Sequence, residues 1–185
     1  MSENNSLRQE TIYFGSGCFW CTEAVFDRVH GVLDVESGYA NGHVPNPSYE
    51  QVCTGNTGHA EVLKVTFDPS QICLDALLEI FFGTHDPTTP NRQGNDVGPQ
   101  YRSAIYTVSA QQLEKAQAFV HMLNTKNLFG QPVVTEVQAL HNYWPAENYH
   151  QDYFERNPHQ GYCAFVVGPK VSKFLKTFTQ YLKKD

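Results

Sequence analysis

The hydrophobic positions of this chain change period several times, and each change marks an element. Thr11-Ile12-Tyr13-Phe14 is a β-branched and aromatic run that reads as a strand, and Val25, Phe26 and Val29 then recur at helical spacing. Over residues 32–39, Leu33, Val35 and Tyr39 fall on one face and Asp34 and Glu36 on the other, the alternation of a half-buried strand. A third strand spans 61–67, with Glu61, Leu63, Val65 and Phe67 on one face and Val62, Lys64 and Thr66 on the other. Leu74, Leu77, Leu78, Phe81 and Phe82 predict a helix that Gly83 ends, and 103–108 predicts a fourth strand. The order β-α-β-β-α-β is that of the ferredoxin-like split unit. The expected fold class is therefore α+β, a two-layer sandwich whose antiparallel sheet carries its helices on one face.

Beyond that core, the pattern predicts an added helix over 111–123 and an added strand over 133–137. A long irregular C-terminal segment over 141–162 is rich in Tyr and Trp and has room for a short helix near 148–155. A last helix carries the stripe Val171, Phe174, Leu175, Phe178, Tyr181 and Leu182, with Lys173, Lys176 and Lys183 in water. Two connections, 40–59 and 82–101, are Gly- and Pro-rich and longer than a compact domain needs for linkage, so they are expected to border a site.

Composition narrows the function. The 185 residues suit one domain, 1–185, with a flexible N-terminus over 1–8. A net charge of −6 without a Lys/Arg block before the last turn leaves no footprint for nucleic acid or an anionic membrane. The polar N-terminus and the absence of a membrane-length apolar run point to a cytoplasmic protein. Five cysteines are an odd and sparse set, so at least one thiol is free for redox or catalytic use. The histidines are scattered and the single Cys-x-x-Cys has no second pair, so neither a metal nor another cofactor is expected.

The richest stretch is Gly15-Ser16-Gly17-Cys18-Phe19-Trp20-Cys21-Thr22-Glu23, a strand end, a glycine turn and a helix start. A thiol at a helix start is expected to ionise more readily, because unpaired N–H groups and the positive end of the helix dipole favour thiolate. The competing reading makes Cys18 a packed small hydrophobe. Glu61 belongs by period to an apolar face, where a carboxyl group should keep its proton and serve as a general acid, unless the strand starts one residue later. Phe19 and Trp20 would line a small apolar pocket with the Trp20 N–H available as a donor, or simply pack in the core. In the 82–101 connection, His85, Asp86, Arg92, Asp96 and Tyr101 are polar candidates, each of which has an ordinary loop hydrogen bond as its simpler reading. Cys18 and Cys21 also have the spacing of a dithiol oxidoreductase, although two bulky aromatics separate them.

Taken together, these blocks resemble the peptide methionine sulfoxide reductases of the A type, which act on the S epimer. The resemblance rests on Gly17-Cys18-Phe19-Trp20 with Glu23, Gly38-Tyr39, Pro47-Ser48-Tyr49 and Gly58-His59-Ala60-Glu61-Val62. It continues through His85-Asp86-Pro87-Thr88, Gln93-Gly94-Asn95-Asp96-Val97-Gly98 and Gln100-Tyr101-Arg102-Ser103. It implies an α+β sandwich around a mixed sheet. It implies Cys18 as nucleophile, Phe19 and Trp20 as a wall for the substrate methyl group, Glu61 as proton donor, Tyr49 and Tyr101 as donors to the sulfoxide oxygen, and Asp96 as a supporting polar residue. The substrate would be methionine sulfoxide, free or in oxidised proteins, and thioredoxin the reductant of an intramolecular disulfide. Gly161-Tyr162-Cys163 matches the family's resolving thiol; proximity in sequence favours Cys21 instead, and the resemblance tips the expectation to Cys163. The chain is expected to act as a monomer. Two other functions compete: a general thiol-disulfide oxidoreductase using Cys18 and Cys21, and a non-catalytic thiol- or metal-binding module.

Overall fold

The computed structural model describes residues 8–184, so the expected flexible N-terminus over 1–8 lies outside the described residues except for Arg8. In chain order the first elements are β1 (Glu10–Gly15), α1 (Phe19–Phe26), β2 (Val32–Ala40), α2 (Tyr49–Cys53), β3 (Ala60–Phe67) and α3 (Leu74–Gly83). The two-residue strands β4 (Arg92–Gln93) and β5 (Asp96–Val97) follow, then a 3-10 turn at Pro99–Tyr101, β6 (Ala104–Thr107), α4 (Ala110–Thr125), β7 (Glu136–Ala139) and β8 (Tyr143–Pro145). A 3-10 turn at Asn148–His150 leads to α5 (Tyr153–Arg156), and a π turn at Cys163–Val167 leads to α6 (Gly168–Thr177).

The main sheet has six strands in the order β7-β6-β1-β3-β2-β8. It is mixed, since β6 and β7 run parallel and all other neighbours antiparallel. Alternation along β1 explains its two faces. Ile12 and Phe14 join Leu63, Val65 and Phe67 of β3 in the main core, under Val25 and Phe26 of α1 and Leu77 and Phe81 of α3. Tyr13 points the other way, to Val62, Ala104 and Tyr106, where Leu140 and Tyr143 cover a thinner cluster. Phe14 is the central piece of the main core, stacked on Phe26 at 5.1 Å and on Phe81 at 4.7 Å.

Several boundaries differ from the pattern. A bulge in the β2–β3 register between Val32 and Asp34 turns Leu33 outward, to 41% exposure, and puts Val32 in the core instead. The added strand begins at Glu136 rather than at 133, because Val133 N–H already donates to Asn124 Oδ1 at 2.8 Å and Val134 N–H to Pro87 O at 2.8 Å. The short β8 on the opposite edge has no signal in the pattern. The expected short helix near 148–155 splits in two at Asp152, whose φ is 55°. The last helix starts earlier than the stripe and ends at Thr177, so Leu182 instead bridges back to Val29.

Removing the Phe14 ring takes two aromatic partners away from a site with no access to solvent. Phe14→Ala is expected to lower the unfolding free energy by about 3–5 kcal/mol, read as a lower urea midpoint with an unchanged slope. A midpoint equal to wild type would show that the core does not depend on this contact.

Candidate active site

The site grows from the C-terminal end of β1. Gly17 has φ 94°, and a Cβ there would sit 2.7 Å from the Gln93 side chain, so this turn takes glycine on two grounds. Buried Ser16 and Thr22 hydroxyls pair at 2.6 Å and tie the turn to α1. Cys18 is the residue before the first helical turn, and its thiol makes no capping bond to the helix backbone. Phe19, the first residue of α1, donates its backbone N–H to Glu61 Oε1 at 3.2 Å. Glu61 is 1% exposed and lies on the face of β3 that the alternation assigned to it.

Burial dominates the ionisation of this pair. The Glu61 carboxyl is pushed up to about 8, chiefly by loss of solvent, with the Phe19 N–H pulling it down and Asp96 adding to the rise. It is therefore an acid, not a carboxylate, at neutral pH. Burial likewise pushes the Cys18 thiol well above its ordinary range, reinforced by Glu61 and Cys21 and opposed by the Trp20 N–H. The helix start thus works in the expected direction, but desolvation outweighs it, and the expected easy ionisation is corrected: Cys18 is held as a thiol.

The aromatic wall is built largely by distant chain. Phe19 is 1% exposed and packs against Tyr39 and His150, with ring centroids at 5.7 and 5.1 Å. Trp20 stacks on Tyr153 at 3.8 Å with its plane 5° from parallel. Its indole N–H, expected to be available to a ligand, instead donates to His150 Nδ1 at 3.0 Å. That use requires a neutral imidazole, and burial pushes the His150 pKa down accordingly.

Two phenols belong to the same surroundings. Tyr49 opens α2, whose start is fixed by a reciprocal cap between Ser48 and Gln51. Its ring lies 4.4 Å from that of His150, and its N–H donates to Glu147 Oε2 at 3.1 Å. Tyr101 ends the 3-10 turn, which Arg102 holds by donating to Pro99 O at 2.8 Å and to Gly58 O at 3.0 Å. Burial raises both phenols, and the charge of Glu61 adds to each. Both therefore remain hydroxyl donors at any ordinary pH. Asp96 accepts from the Tyr162 hydroxyl at 2.6 Å, and so braces the C-terminal segment against the β4–β5 hairpin.

Cys18, Phe19, Trp20, Glu61, Tyr49, Tyr101 and Asp96 are thus gathered around one turn. Cys163 is not on the surface of the site: it is fully buried in a cluster with Cys21, Ala24, Val167 and Val171. His85, Asp86 and Arg92 have the ordinary loop roles, with His85 bonded to Phe81 O and Ser103 Oγ, Asp86 to Thr88, and Arg92 to Gly94 O. Among the described residues there is no group of three or more His, Cys, Asp or Glu that could hold a metal ion, and no helix is long and apolar enough to cross a membrane. Sequence reasoning missed Glu147, which accepts from Tyr39, Tyr49 and Tyr149, and gave no role to His150, Tyr153 or Tyr162. The aromatic richness of 141–162 was the only signal for them.

Comparison with known proteins supplies the context. The family model for peptide methionine sulfoxide reductase matches residues 10–182. The peptide methionine sulfoxide reductase MsrA of Ralstonia nicotianae is 52% identical, covering 99% of this chain and 97% of its own length; that of Trichodesmium erythraeum is 55% identical over 91% and 96%. Among solved structures, methionine sulfoxide reductase A of Corynebacterium diphtheriae superposes with a TM-score of 0.78 at 41% identity, covering 81% of this chain and 76% of that one. Mxr1 from Saccharomyces cerevisiae in complex with Trx2 superposes with a TM-score of 0.55 at 27% identity, covering 80% and 87%. A thiol, a buried acid and two phenols gathered on one glycine turn sit in a chain matched along nearly its whole length, and this chain belongs to the peptide methionine sulfoxide reductase family.

Proposed function

We propose that this chain reduces methionine-S-sulfoxide, free or within oxidised proteins, with Cys18 as the nucleophile and Glu61 as the acid. The observation that carries the assignment is the buried Glu61 carboxyl held at 3.2 Å by the Phe19 N–H, beside the turn that presents Cys18. A sulfoxide oxygen is a poor leaving group until protonated, and a carboxyl with its pKa near 8 carries that proton through neutrality. Tyr49 and Tyr101 donate to the same oxygen, and Phe19 with Trp20 packs the S-methyl group. Asp96 acts at one remove, through Tyr162.

The protons held by Glu61 and Cys18 dictate the order of events. Proton transfer from Glu61 to the oxygen makes the substrate sulfur electrophilic and cationic, which offsets the desolvated charge that otherwise disfavours ionisation of Cys18. The Cys18 sulfur bonds to the substrate sulfur and the S–O bond breaks, the oxygen leaving as water with the Glu61 and Cys18 protons; a water then attacks the Cys18 sulfur, the S–S bond breaks with its electron pair passing to the substrate sulfur, and the proton released returns to Glu61, so that the net change is thiol plus sulfoxide to sulfenic acid plus thioether. Recycling ends in an intramolecular disulfide that includes Cys163, which an external dithiol reduces by exchange. The yeast relative solved in complex with Trx2 supports thioredoxin in that role.

We place the chain in the cytoplasm, because five cysteines in 185 residues are too sparse for a secreted disulfide scaffold. The antiparallel order β6-β1-β3-β2, with α1 and α3 packed on one face, supports the ferredoxin-like description of the core.

Cys18→Ser is expected to form no methionine in a single turnover, and methionine release by that variant would remove Cys18 from its role. Glu61→Gln keeps shape but not the proton, so the rate of the reductive step should drop by about 10²–10⁴. Because the acid form is the active one and its pKa is raised, the wild-type rate should be level through neutrality and fall with pH above about 8. That fall should be missing in Glu61→Gln. A glutamine variant within a few-fold of wild type in stopped-flow measurements would count against the acid role.

A further inference from the structure

One buried acid takes no part in the reaction above. Glu23 lies on α1 one turn beyond Phe19 and Trp20 and is 4% exposed. Its Oε2 accepts from the Ser37 hydroxyl of β2 at 3.2 Å. Ser37 is in turn the residue on which the C-terminal segment docks. Its N–H donates to Gln151 Oε1 at 2.9 Å, and its carbonyl accepts from Gln151 Nε2 at 3.0 Å and from the Ala146 N–H at 2.9 Å. The Asp152 N–H bonds the Glu23 carboxyl group as well. Asp152 is the left-handed break, φ 55°, between the His150 turn and α5. Directly after it Tyr153 stacks on Trp20 at 3.8 Å, and two residues before it His150 accepts the Trp20 indole N–H at 3.0 Å. Glu23 therefore sits where α1, β2 and the two residues that hold Trp20 meet.

The surroundings suit an acid and not a carboxylate. Burial pushes the Glu23 carboxyl up to about 7, with Asp152 and Asp27 adding to the rise and the Ser37 hydroxyl and Asp152 N–H opposing it. No cation pairs with Glu23 among the described residues. Arg28 of α1 is bound to Glu155 of α5 and to Ala24 O, and Arg156 of α5 to Asn148 O. Lys170 of α6 acts on Cys21, Glu61 of β3 meets α1 at its other end, and β1 and β3 otherwise turn Phe14, Leu63 and Val65 toward the helix. His150 packs on Phe19 and Trp20, and burial lowers its pKa. An ionised Glu23 is thus a buried charge beside two of the same sign. The seated segment keeps the proton up to about 7, whereas an acid open to water loses it near 4.5. Seating is strongest below the lower value, weakens as pH rises toward 7, and is level above it.

We propose that Glu23 is a positioning residue for the reductive step: as a neutral acid it seats the 146–153 segment on α1, and so holds Tyr153 and His150 against Trp20. It does not touch the substrate. Its ionisation draws the segment toward water, and Trp20 loses the stack and the hydrogen bond that orient it. The proposal rests on the reading of Trp20 as a wall for the S-methyl group. Loosening that wall weakens the binding of the sulfoxide, while Glu61, held by the Phe19 N–H, keeps its proton and the rate of the chemical step.

Glu23→Gln keeps the shape and stays neutral at every pH. The test follows exchange of the Trp20 indole N–H by NMR in the full chain from about pH 4.5 to about pH 8, corrected for the intrinsic exchange rate, with the second indole signal assigned from Trp144→Phe. No substrate is present, so the result is independent of the Cys18 and Glu61 assignments. In wild type, protection is expected to fall about tenfold per pH unit toward pH 7, about 10²–10³ in all, and then to level off. In Glu23→Gln that fall should be missing; His150 and Glu61 titrate in both proteins and cancel in the comparison. Equal profiles would overturn the proposal, as would a flat wild-type profile, which requires no variant to fold. Single-turnover kinetics separate positioning from a merely structural role. At about pH 7.5 the methionine-S-sulfoxide concentration that half-saturates the rate should be several-fold lower in Glu23→Gln than in wild type, with the maximal rate unchanged, and the two concentrations should converge near pH 5. Equal half-saturation at about pH 7.5 would overturn the positioning role even where the exchange profiles part.

Discussion

The hydrogen bond from Phe19 N–H to Glu61 is the contact on which the site depends. It joins the first free N–H of α1 to a carboxyl group on the central strand β3, and so sets the helix that carries Cys18, Phe19 and Trp20 against the sheet. One neutral-strength donor is enough to orient the acid but not to stabilise its charge. The carboxyl group consequently stays protonated, and the same desolvation keeps Cys18 a thiol. The resting site stores reactivity as two bound protons. In the mechanism proposed, charge develops when a substrate oxygen accepts one of them.

The second dependence is on chain far from the glycine turn. Trp20 is held between Tyr153 and His150, and Glu147 collects the Tyr39 hydroxyl at 3.0 Å and the Tyr49 N–H at 3.1 Å. The segment from Tyr143 to Val167 therefore packs against the aromatic side chains of α1 as well as carrying Cys163. These roles place opposite demands on it. The wall half is pinned by stacking and by Glu147, while the thiol half is a π turn with exposed Phe165 and Val166. Tyr162 marks the join, bonded to Asp96 at 2.6 Å and placed against Cys21.

Much of this was legible in residue order. The period of β1, β3 and α3 identified the core, because the pleat and the helical turn impose their spacing within a few residues. Glu61 could be singled out for the same reason: a strand that buries Leu63, Val65 and Phe67 on one face must bury residue 61 as well. The turn at Gly17 was readable from the glycine pair, and the family from ordered blocks spread along the chain. Leu33 was misplaced because a bulge depends on the pairing of β2 with β3, not on β2 alone. The strand β8 was missed because three residues added to an edge carry no period of their own.

By itself, the sequence determined which residues can do the chemistry: a thiol on a glycine turn at a helix start, an acid on an apolar strand face, and phenols in two long loops. Only the tertiary structure decided their state and their placement. Helix-start electrostatics is a local property and favours thiolate, whereas desolvation depends on what covers the site. The cover comes from the 92–97 hairpin and from a segment that begins 130 residues beyond Trp20, at His150. The packing of Cys163 behind Cys21 is likewise a relation in space between α1 and the C-terminal turn that no spacing along the chain encodes.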